Sequence, residues 1–293
     1  MTYREALSAA ADKLKNSDVM FCDTPMLDAQ VLLSHASGMS REKLFASYPD
    51  KLEEAVYRDF SRMIDKRMSG FPVSYIRNIK EFYGRDFYVD ESVLVPRPDT
   101  ELIIDKAVEL LDSEASASAN RDKPCRVLDL CTGSGCIAVT MKLERPELDV
   151  RASDISTEAL NTARKNAKAL TADVNFIESN LFDNIEDSFD IIVTNPPYLT
   201  GEESEKMIKA GWPEPMLALY GGDDGLDLIR IIIKSSLDYL DNNSYLLIEA
   251  GPHQAEPITV MLEQAGFVDI GITVDMAGRN RVTSGRKSGS HNK

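Results

Sequence analysis

The spacing of apolar residues divides the chain into two parts. In the first, residues 1 to about 80, apolar side chains recur at intervals of three, four and seven with charged residues between them, a period typical of amphipathic helices. Examples are Leu7, Leu14, Val56, Phe60 and Ile64. Pro25, Gly38 and Pro49 divide this region into short helices. We therefore predict a small helical domain over residues 1–80 that carries no chemistry and holds a partner.

A short aromatic segment joins this region to the rest of the chain. Residues 81–89 place aromatic side chains on both sides of Gly84, Arg85 and Asp86, which predicts a β-hairpin linker over residues 81–95. A proline-rich segment follows, and Asp99 or Thr100 is placed to cap a helix that runs through residue 110. Residues 112–124 are small and polar and predict a loop.

From residue 126 onward, short apolar runs alternate with helical patterns. The predicted strands cover residues 126–130, 150–153, 174–178, 189–194, 245–249, 268–273 and 281–284, with helices starting near residues 135, 156, 225 and 253. This alternation predicts an α/β domain over residues 96–286, built on a mainly parallel sheet with helices on both faces. Ligands of such sheets bind beyond the carboxyl ends of the strands. Residues 287–293 are predicted to be a flexible tail.

Composition narrows the class of protein. The formal net charge is −15, which argues against a partner such as DNA or RNA, since nucleic-acid binding normally needs a basic surface. The N-terminal segment lacks the apolar core of a secretory signal, and no run approaches the about 18 apolar residues that span a membrane. The four cysteines form no CxxC pair and the three histidines complete no metal-ligand pattern. We expect a cytoplasmic protein with free thiols, no metal and no membrane contact.

The turn after the first strand of this domain is the first candidate ligand site. The strand ends in a segment that begins at Asp129 and contains Thr132, Gly133 and Gly135. Glycines let the backbone turn sharply and approach a ligand closely. A tight strand-to-helix connection without a ligand gives the same pattern. A dinucleotide motif is a weaker match, because Cys131 stands at its first glycine position.

The next two strands end in residues suited to an adenosine. Asp154 and its neighbour Ile155 close the second strand, where a carboxylate is placed to accept both ribose hydroxyls, although Asp154 is also a candidate helix cap. Asn180 and Leu181 close the third strand, where polar and apolar groups bracket an adenine ring or form an ordinary turn. The three sites occur in the right order at consecutive strand ends, which favours a nucleoside-containing cofactor.

The most specific signal follows the fourth strand, where the sequence is Asn195-Pro196-Pro197-Tyr198. Methyl transfer to a planar NH₂ group needs two acceptors that orient the group and stabilise the positive charge developing on nitrogen. The Asn195 amide oxygen and the Pro196 carbonyl oxygen are candidates for these acceptors, and Tyr198 is placed to lie flat on the planar group. The alternative is a rigid proline turn without chemistry.

These motifs resemble those of the HemK/PrmC family of protein-(glutamine-N5) methyltransferases. The resemblance rests on residues 95–101, 129–135, 195–198, 214–226 and 275–281, and covers essentially the whole chain. It implies the class I S-adenosylmethionine-dependent methyltransferase fold, Rossmann-like, with a seven-stranded mainly parallel sheet, an N-terminal helical domain and a β-hairpin linker. The implied substrate is the glutamine of the Gly-Gly-Gln motif in peptide chain release factors, and we expect a monomer.

The resemblance also implies roles for individual residues. The glutamine side chain would enter over Asn195 and Pro196, and Arg97 and Glu101 are candidates for lining the site, although they also suit a surface ion pair. Cys131 departs from the glycine common in relatives, which is tolerated if its φ is negative.

Two other functions compete with this one. A DNA adenine-N6 methyltransferase shares the tetrapeptide at 195–198, but it would need a basic and aromatic surface to flip a base. A non-catalytic binding module with the same fold would have no use for paired acceptors beside a cofactor.

Overall fold

The computed structural model describes residues 1–16, 22–117 and 124–289. The chain forms two compact units, one of Met1–Ile79 with Lys206–Pro213, the other of Lys80–Glu205 with Glu214–Lys293. Over the described ranges, every helix is too short or too polar to cross a bilayer. Within the same ranges, histidine, cysteine and acidic side chains form no group of three or more placed to hold a metal ion.

The first unit is helical. Its N-terminal helices are α1 (Tyr3–Lys15), α2 (Pro25–Ser37), α3 (Arg41–Ala46), α4 (Glu54–Met68) and α5 (Val73–Arg77). The predicted punctuation is confirmed, because Pro25 is the first residue of α2 and Gly38 ends that helix in the left-handed conformation with φ 65°. The predicted apolar positions form its core, with Leu7, Phe60 and Ile64 all at most 3% exposed. Burial of this apolar face stabilises helices that are too short to be stable alone.

The hairpin begins the second unit. Strands β1 (Lys80–Phe82) and β2 (Arg85–Phe87) pair antiparallel. The turn consists of Tyr83 and Gly84, with φ of 51° and 72°, as a type I′ turn requires. The predicted turn residues Arg85 and Asp86 belong to β2 instead, because the two positive φ values close the turn before them.

The remainder of the second unit is an α/β domain. Its strands are β3 (Arg126–Leu130), β4 (Asp149–Asp154), β5 (Asn175–Glu178), β6 (Phe189–Thr194), β7 (Leu240–Glu249), β8 (Phe267–Val274) and β9 (Asn280–Lys287). Its helices are α6 (Glu101–Ala117), α7 (Cys136–Glu144), α8 (Thr157–Leu170), α9 (Gly201–Lys209, whose last turn lies in the first unit), α10 (Asp227–Tyr239) and α11 (Ala255–Ala265).

The strands form one sheet in the order β5-β4-β3-β6-β7-β9-β8. Strands β3 to β7 are parallel, and β9 and β8 are antiparallel additions at one edge. Helices cover both faces, as alternate residues of β3 show: Val127 packs in the cluster that contains Ile104 of α6, and Leu128 in the cluster that contains Ile229 of α10. The predicted seven-stranded, mainly parallel sheet is therefore confirmed.

Two boundaries differ from the prediction. Helix α6 continues to Ala117, so the loop predicted from residue 112 is wrong over 112–117, and residues 118–123 of it lie outside the described residues. Alanine and glutamate in this stretch are good helix formers, and they extend the helix past its apolar positions. Lys287 ends β9 rather than starting a tail, because its Nζ donates to the carbonyls of Leu237 and Leu240 at 2.7 and 2.6 Å. Residues 290–293 of the predicted tail lie outside the described residues.

Candidate active site

A cavity of about 300 Å³ lies at the carboxyl ends of β3, β4, β5 and β6, entirely within the second unit. Strand β3 pairs with β4 on one side and with β6 on the other, so the order of strands reverses there. Ligands of open parallel sheets bind in this crevice. The lining comes from segments 91–97, 130–137, 153–159, 179–181, 195–197 and 215–218, together with Thr100 and Leu228.

The glycine-rich turn forms the floor between β3 and α7. Gly133 has φ 55°, and its N–H donates to Asp154 Oδ2 at 2.8 Å, which ties the turn to the end of β4. Gly135 precedes α7 with φ 79°, and an added Cβ there would lie 3.0 Å from the Ala163 Cβ. The glycine at 135 therefore allows α7 to pack closely against α8, whereas Gly133 borders the cavity directly.

Cys131 has φ 64°, so the negative φ under which this residue would replace glycine without strain is not present. A side chain in the left-handed region costs about 1–2 kcal/mol, which glycine avoids. The side chain is partly buried against the core cluster formed by β3, β6 and α10, and this burial raises the pKa of its thiol. Packing thus offsets part of the backbone strain, and the thiol is held neutral.

Asp129 stands behind the turn rather than in the cavity wall. Its Oδ2 accepts from Thr132 Oγ1 at 2.5 Å and from Ala138 N at 3.0 Å, and complete burial raises its pKa to about 7. Its Oδ1 and the Ser153 hydroxyl are buried without a hydrogen-bond partner among the described residues. Thr132 and Ser153 line the cavity. The unpaired Ser153 hydroxyl, on a residue of the cavity wall, fits a polar ligand rather than an apolar one.

Asp154 closes β4 and lines the cavity. Its Oδ1 accepts from Ser156 N at 2.9 Å, and burial raises its pKa. The cap of α8 is Ser156, whose hydroxyl accepts from Ala159 N at 3.1 Å, so the cap alternative for Asp154 is wrong. The neighbouring Ile155 lines the cavity with half of its surface exposed (50%), an unusual position for an isoleucine unless a ligand covers it.

The turn after β5 supplies the next part of the wall. Asn180 and Leu181 both line the cavity, and Leu181 has φ 49°. Ser179 holds this conformation, because its hydroxyl donates to the Leu181 carbonyl at 2.8 Å and accepts from Asn184 N at 3.0 Å. The structure therefore brings the predicted ends of β3, β4 and β5 together around one space.

Residues 195–198, here called the catalytic loop, follow β6. Asn195 and Pro197 line the cavity, Pro196 is buried, and Tyr198 packs against the α10 cluster outside the lining. The Asn195 side-chain nitrogen donates to Thr100 Oγ1 at 3.3 Å. Across the part of the chain that the structure describes, no hydrogen bond ends on the Asn195 amide oxygen or on the Pro196 carbonyl oxygen. The Asn195 amide oxygen thus belongs to a residue that lines the cavity and is free to accept from a ligand, whereas Pro196 is buried and outside the lining.

Three residues that sequence reasoning did not place in the site hold this loop in position. A Cβ on Gly221 would lie 2.5 Å from the Pro197 carbonyl oxygen, and one on Gly225 would lie 2.2 Å from that of Tyr198. The buried Gln254 donates from Nε2 to the Tyr198 carbonyl at 2.9 Å. The two glycines belong to a motif noted in the sequence, but nothing in the sequence marks Gln254.

Arg97 and Glu101, the two charged candidates, lie in different places. Arg97 lines the cavity and forms an ion pair of 2.5 Å with Glu214, whose fully buried carboxylate also accepts from Val95 N at 2.9 Å. Glu101 accepts from Tyr83 N at 2.8 Å and is outside the lining. The prediction that Glu101 lines the site is therefore wrong, because its carboxylate is used by the hairpin turn.

Comparisons with known proteins agree with this geometry. The chain matches the family models of the PrmC N-terminal domain over residues 5–77 and of the methyltransferase small domain over residues 101–211. It is 39% identical to the release factor glutamine methyltransferase of Neisseria gonorrhoeae, over 89% of this chain and 93% of that protein. It is 33% identical to the bifunctional methyltransferase of Rickettsia felis, over 95% of this chain but only 57% of that protein.

Among solved structures, a methyltransferase from Pyrococcus furiosus superposes with a TM-score of 0.51 and 15% identity, over 71% of this chain and 92% of that one. At this identity the likeness concerns the fold alone. Together with the sheet order, it confirms the predicted class I S-adenosylmethionine-dependent methyltransferase fold.

Proposed function

Because the chain belongs to the family of release factor glutamine methyltransferases, we propose that it transfers a methyl group from S-adenosylmethionine to the side-chain amide nitrogen of a glutamine in a peptide chain release factor. We propose further that this glutamine is the one in the Gly-Gly-Gln motif of the release factor. The observation that carries the proposal is the Asn195 amide oxygen, which belongs to a residue lining the cavity and accepts no hydrogen bond from the described residues. The carbonyl oxygen of the adjacent Pro196, which also accepts none, would be the second acceptor.

The acceptor pair suits the chemistry of a carboxamide. The nitrogen lone pair of a glutamine side chain is delocalised into its carbonyl group, so the nitrogen is a poor nucleophile. Two acceptors that bind the two N–H groups orient the nitrogen and stabilise the positive charge that develops on it during attack. Asn195 and Pro196 would supply these acceptors from a backbone held by Gln254 and Gly225. This role needs neither a metal nor a covalent intermediate.

The residues around the cavity fit the cofactor. Asp154 would accept from the ribose hydroxyls, Ile155 and Leu181 would cover the adenine, and the turn at Gly133 would approach the amino-acid part. The partnerless Ser153 Oγ, on a residue that lines the cavity, offers a polar atom for a ligand of this kind. When bound, the cofactor supplies an electrophilic methyl group on a sulfonium centre.

The helical domain would hold the release factor. It matches the PrmC N-terminal domain over residues 5–77 and contributes none of the residues that line the cavity. A separate domain of this kind fits a macromolecular substrate, which needs binding surface beyond the single side chain that reacts.

Mass spectrometry tests the proposal directly. The protein is incubated with S-adenosylmethionine and an intact release factor, and the peptide containing the Gly-Gly-Gln motif is analysed. We expect one added methyl group on the motif glutamine, and none when that glutamine is replaced by alanine. Methylation of double-stranded DNA in a parallel reaction, without modification of the release factor, would overturn the proposal.

A further inference from the structure

A buried chain of side chains runs from the catalytic loop to the end of β7. The Asn195 side-chain nitrogen is 3.3 Å from Thr100 Oγ1, and Thr100 Oγ1 is 3.2 Å from Glu249 Oε1. Thr100 and Glu249 are each only 2% exposed. The other carboxylate oxygen, Glu249 Oε2, is buried and has no hydrogen-bond partner among the described residues. Thr100 is therefore the one hydrogen-bonding contact of this carboxylate within the same part of the chain.

The hydrogen atoms available on these three side chains determine which group donates and which accepts in each hydrogen bond. An ionised carboxylate only accepts hydrogen bonds, and a threonine hydroxyl has one hydrogen to donate. When Glu249 is ionised, Thr100 must donate to it, and the Thr100 oxygen is then left only as an acceptor. Asn195 must consequently turn its NH₂ group toward Thr100, which leaves its amide oxygen on the cavity side.

The reverse orientation of the Asn195 amide would have two costs. Its oxygen would face the Thr100 oxygen without a hydrogen between them, which leaves a polar pair unsatisfied. Its NH₂ group would face the cavity, where the proposed substrate also presents N–H groups. A carboxamide substrate would then meet a donor where it needs an acceptor.

We propose that Glu249 and Thr100 are positioning residues that fix the orientation of the Asn195 amide, so that its oxygen rather than its nitrogen faces the substrate. The inference deepens the proposed function and rests on it for the identity of the substrate. Glu249 lies outside the lining of the cavity, so it acts on the Asn195 amide only through Thr100, which lines the cavity.

The surroundings of Glu249 allow this control to depend on pH. Burial is the main cause that raises the pKa of Glu249 to about 7. The charged and titratable groups that face it are Asp99, Arg97, Arg281, Tyr198 and Cys136. A protonated Glu249 can donate to Thr100, and the Thr100 hydrogen is then free to bond the Asn195 amide oxygen. The constraint on the amide is therefore released as the pH falls through about 7.

Two substitutions and one control test the proposal by kinetics. Thr100→Val removes the hydroxyl, and Glu249→Gln removes the charge that orders the chain, whereas Thr100→Ser keeps both the donor and the acceptor. We expect kcat for release-factor methylation at pH 8 to fall about 10- to 100-fold in Thr100→Val, as is common when a supporting partner is lost, and to stay within about twofold in Thr100→Ser. We expect the KM for the cofactor to change little in all three.

The pH profile distinguishes positioning from general support of the fold. In the wild type, kcat should fall on the acid side with a midpoint near 7, and Glu249→Gln should lose this acid limb. An acid limb that is unchanged in Glu249→Gln, or a folded Thr100→Val variant with the kcat of the wild type, would overturn the inference. If Thr100→Val does not fold, Glu249→Gln and Thr100→Ser still decide it.

Nuclear magnetic resonance of the cofactor-free protein provides a measurement that needs no turnover. The side-chain ¹⁵N–¹H signals of Asn195, identified by their loss in Asn195→Asp, should shift with a midpoint near pH 7 in the wild type and remain constant in Glu249→Gln. Signals that titrate equally in both proteins would refute the coupling. Failure of the wild type to methylate a release factor would instead refute the proposed function, and leave this titration to decide the positioning role.

Discussion

The side-chain amide of Gln254 donates to the Tyr198 carbonyl at 2.9 Å, and its oxygen accepts from Gly251 N at 2.9 Å. Nε2 also approaches the Gly225 carbonyl at 3.3 Å. One buried amide therefore connects the catalytic loop, the segment that packs on it and the turn after β7. The position of the proposed acceptors depends on Gln254, which lies 56 positions along the chain from Tyr198, the last residue of the catalytic loop.

Replacing Gln254 should disturb this connection. In Gln254→Ala four backbone groups, those of Tyr198, Asp224, Gly225 and Gly251, lose a partner, and we expect the free energy of unfolding to fall by about 1–3 kcal/mol. Gln254→Glu has nearly the same shape, but a carboxylate cannot donate and would face three carbonyl oxygens. We therefore expect a lower kcat in Gln254→Glu than in Gln254→Ala at pH 8, measured by release-factor methylation. Equal, wild-type kcat in both variants would show that the contact does not position the loop.

Gly225→Ala tests the close approach of the loop with a matched control. Gly225 has φ 73°, and an added Cβ would lie 2.2 Å from the Tyr198 carbonyl oxygen. Gly278 has nearly the same φ, 75°, but no atom within 4 Å of such a Cβ. Both alanine variants carry the strain of a left-handed residue, about 1–2 kcal/mol, so the difference between them isolates the steric clash.

We expect Gly278→Ala to lose only that strain energy in chemical denaturation and to keep its methylation rate. Gly225→Ala should lose more stability and at least about tenfold in kcat, because the catalytic loop has to move. Identical stability and activity in the two variants would mean that the segment at 221–225 moves aside without consequence.

Two substitutions separate catalysis from cofactor binding. Asn195→Ala removes one proposed acceptor, and we expect at least about 10²-fold loss of kcat with nearly unchanged cofactor affinity. Asp154→Ala removes a carboxylate of the cavity wall, and we expect weaker cofactor binding with residual turnover. Isothermal titration with S-adenosylhomocysteine and initial rates give both quantities. An Asp154→Ala variant that binds this ligand as the wild type does would contradict the ribose role.

The buried carboxyl of Glu249 should also make stability depend on pH. Its pKa is raised from 4.5 in the unfolded chain to about 7, so the folded state binds the proton more tightly. Stability from this group is therefore fully present below pH 4.5 and is lost as the pH rises to about 7.

Glu249→Gln cannot ionise and does not suffer this loss. We expect the melting temperature of the variant, relative to the wild type, to increase between pH 5 and pH 8. Asp99→Asn, which removes a neighbouring charge but leaves the buried carboxyl, serves as the control. A difference between Glu249→Gln and the wild type that is the same at both pH values would contradict the raised pKa.

The sequence predicted those parts of the site that depend on local pattern. Asp154, Leu181 and Asn195 follow strands whose apolar runs are clear, and the rule that parallel strands end at one edge was enough to bring them together. The partners of these residues could not be predicted in the same way. Thr100 is 95 positions from Asn195 and 149 from Glu249, and such pairings depend on how the sheet and α6 pack.

The backbone conformation of individual residues could not be predicted from the sequence either. Cys131 adopts φ 64° although it is not glycine, because its neighbours in the turn and the packing of its side chain determine the conformation. The resemblance implied that Glu101, like Arg97, is a candidate for lining the site. In the fold, the first turn of α6 directs it to the hairpin at Tyr83 instead.

The absence of space between residues 221–225 and the catalytic loop limits how this scaffold can acquire new substrates. No side chain larger than hydrogen fits at Gly221 or Gly225 without moving the carbonyls of Pro197 or Tyr198. Substitutions that leave the proposed acceptors in place are therefore excluded at Gly221 and Gly225. A relative or a designed variant with a different target amide should carry its changes at other positions that line the cavity, such as Leu217, a residue that is 60% exposed.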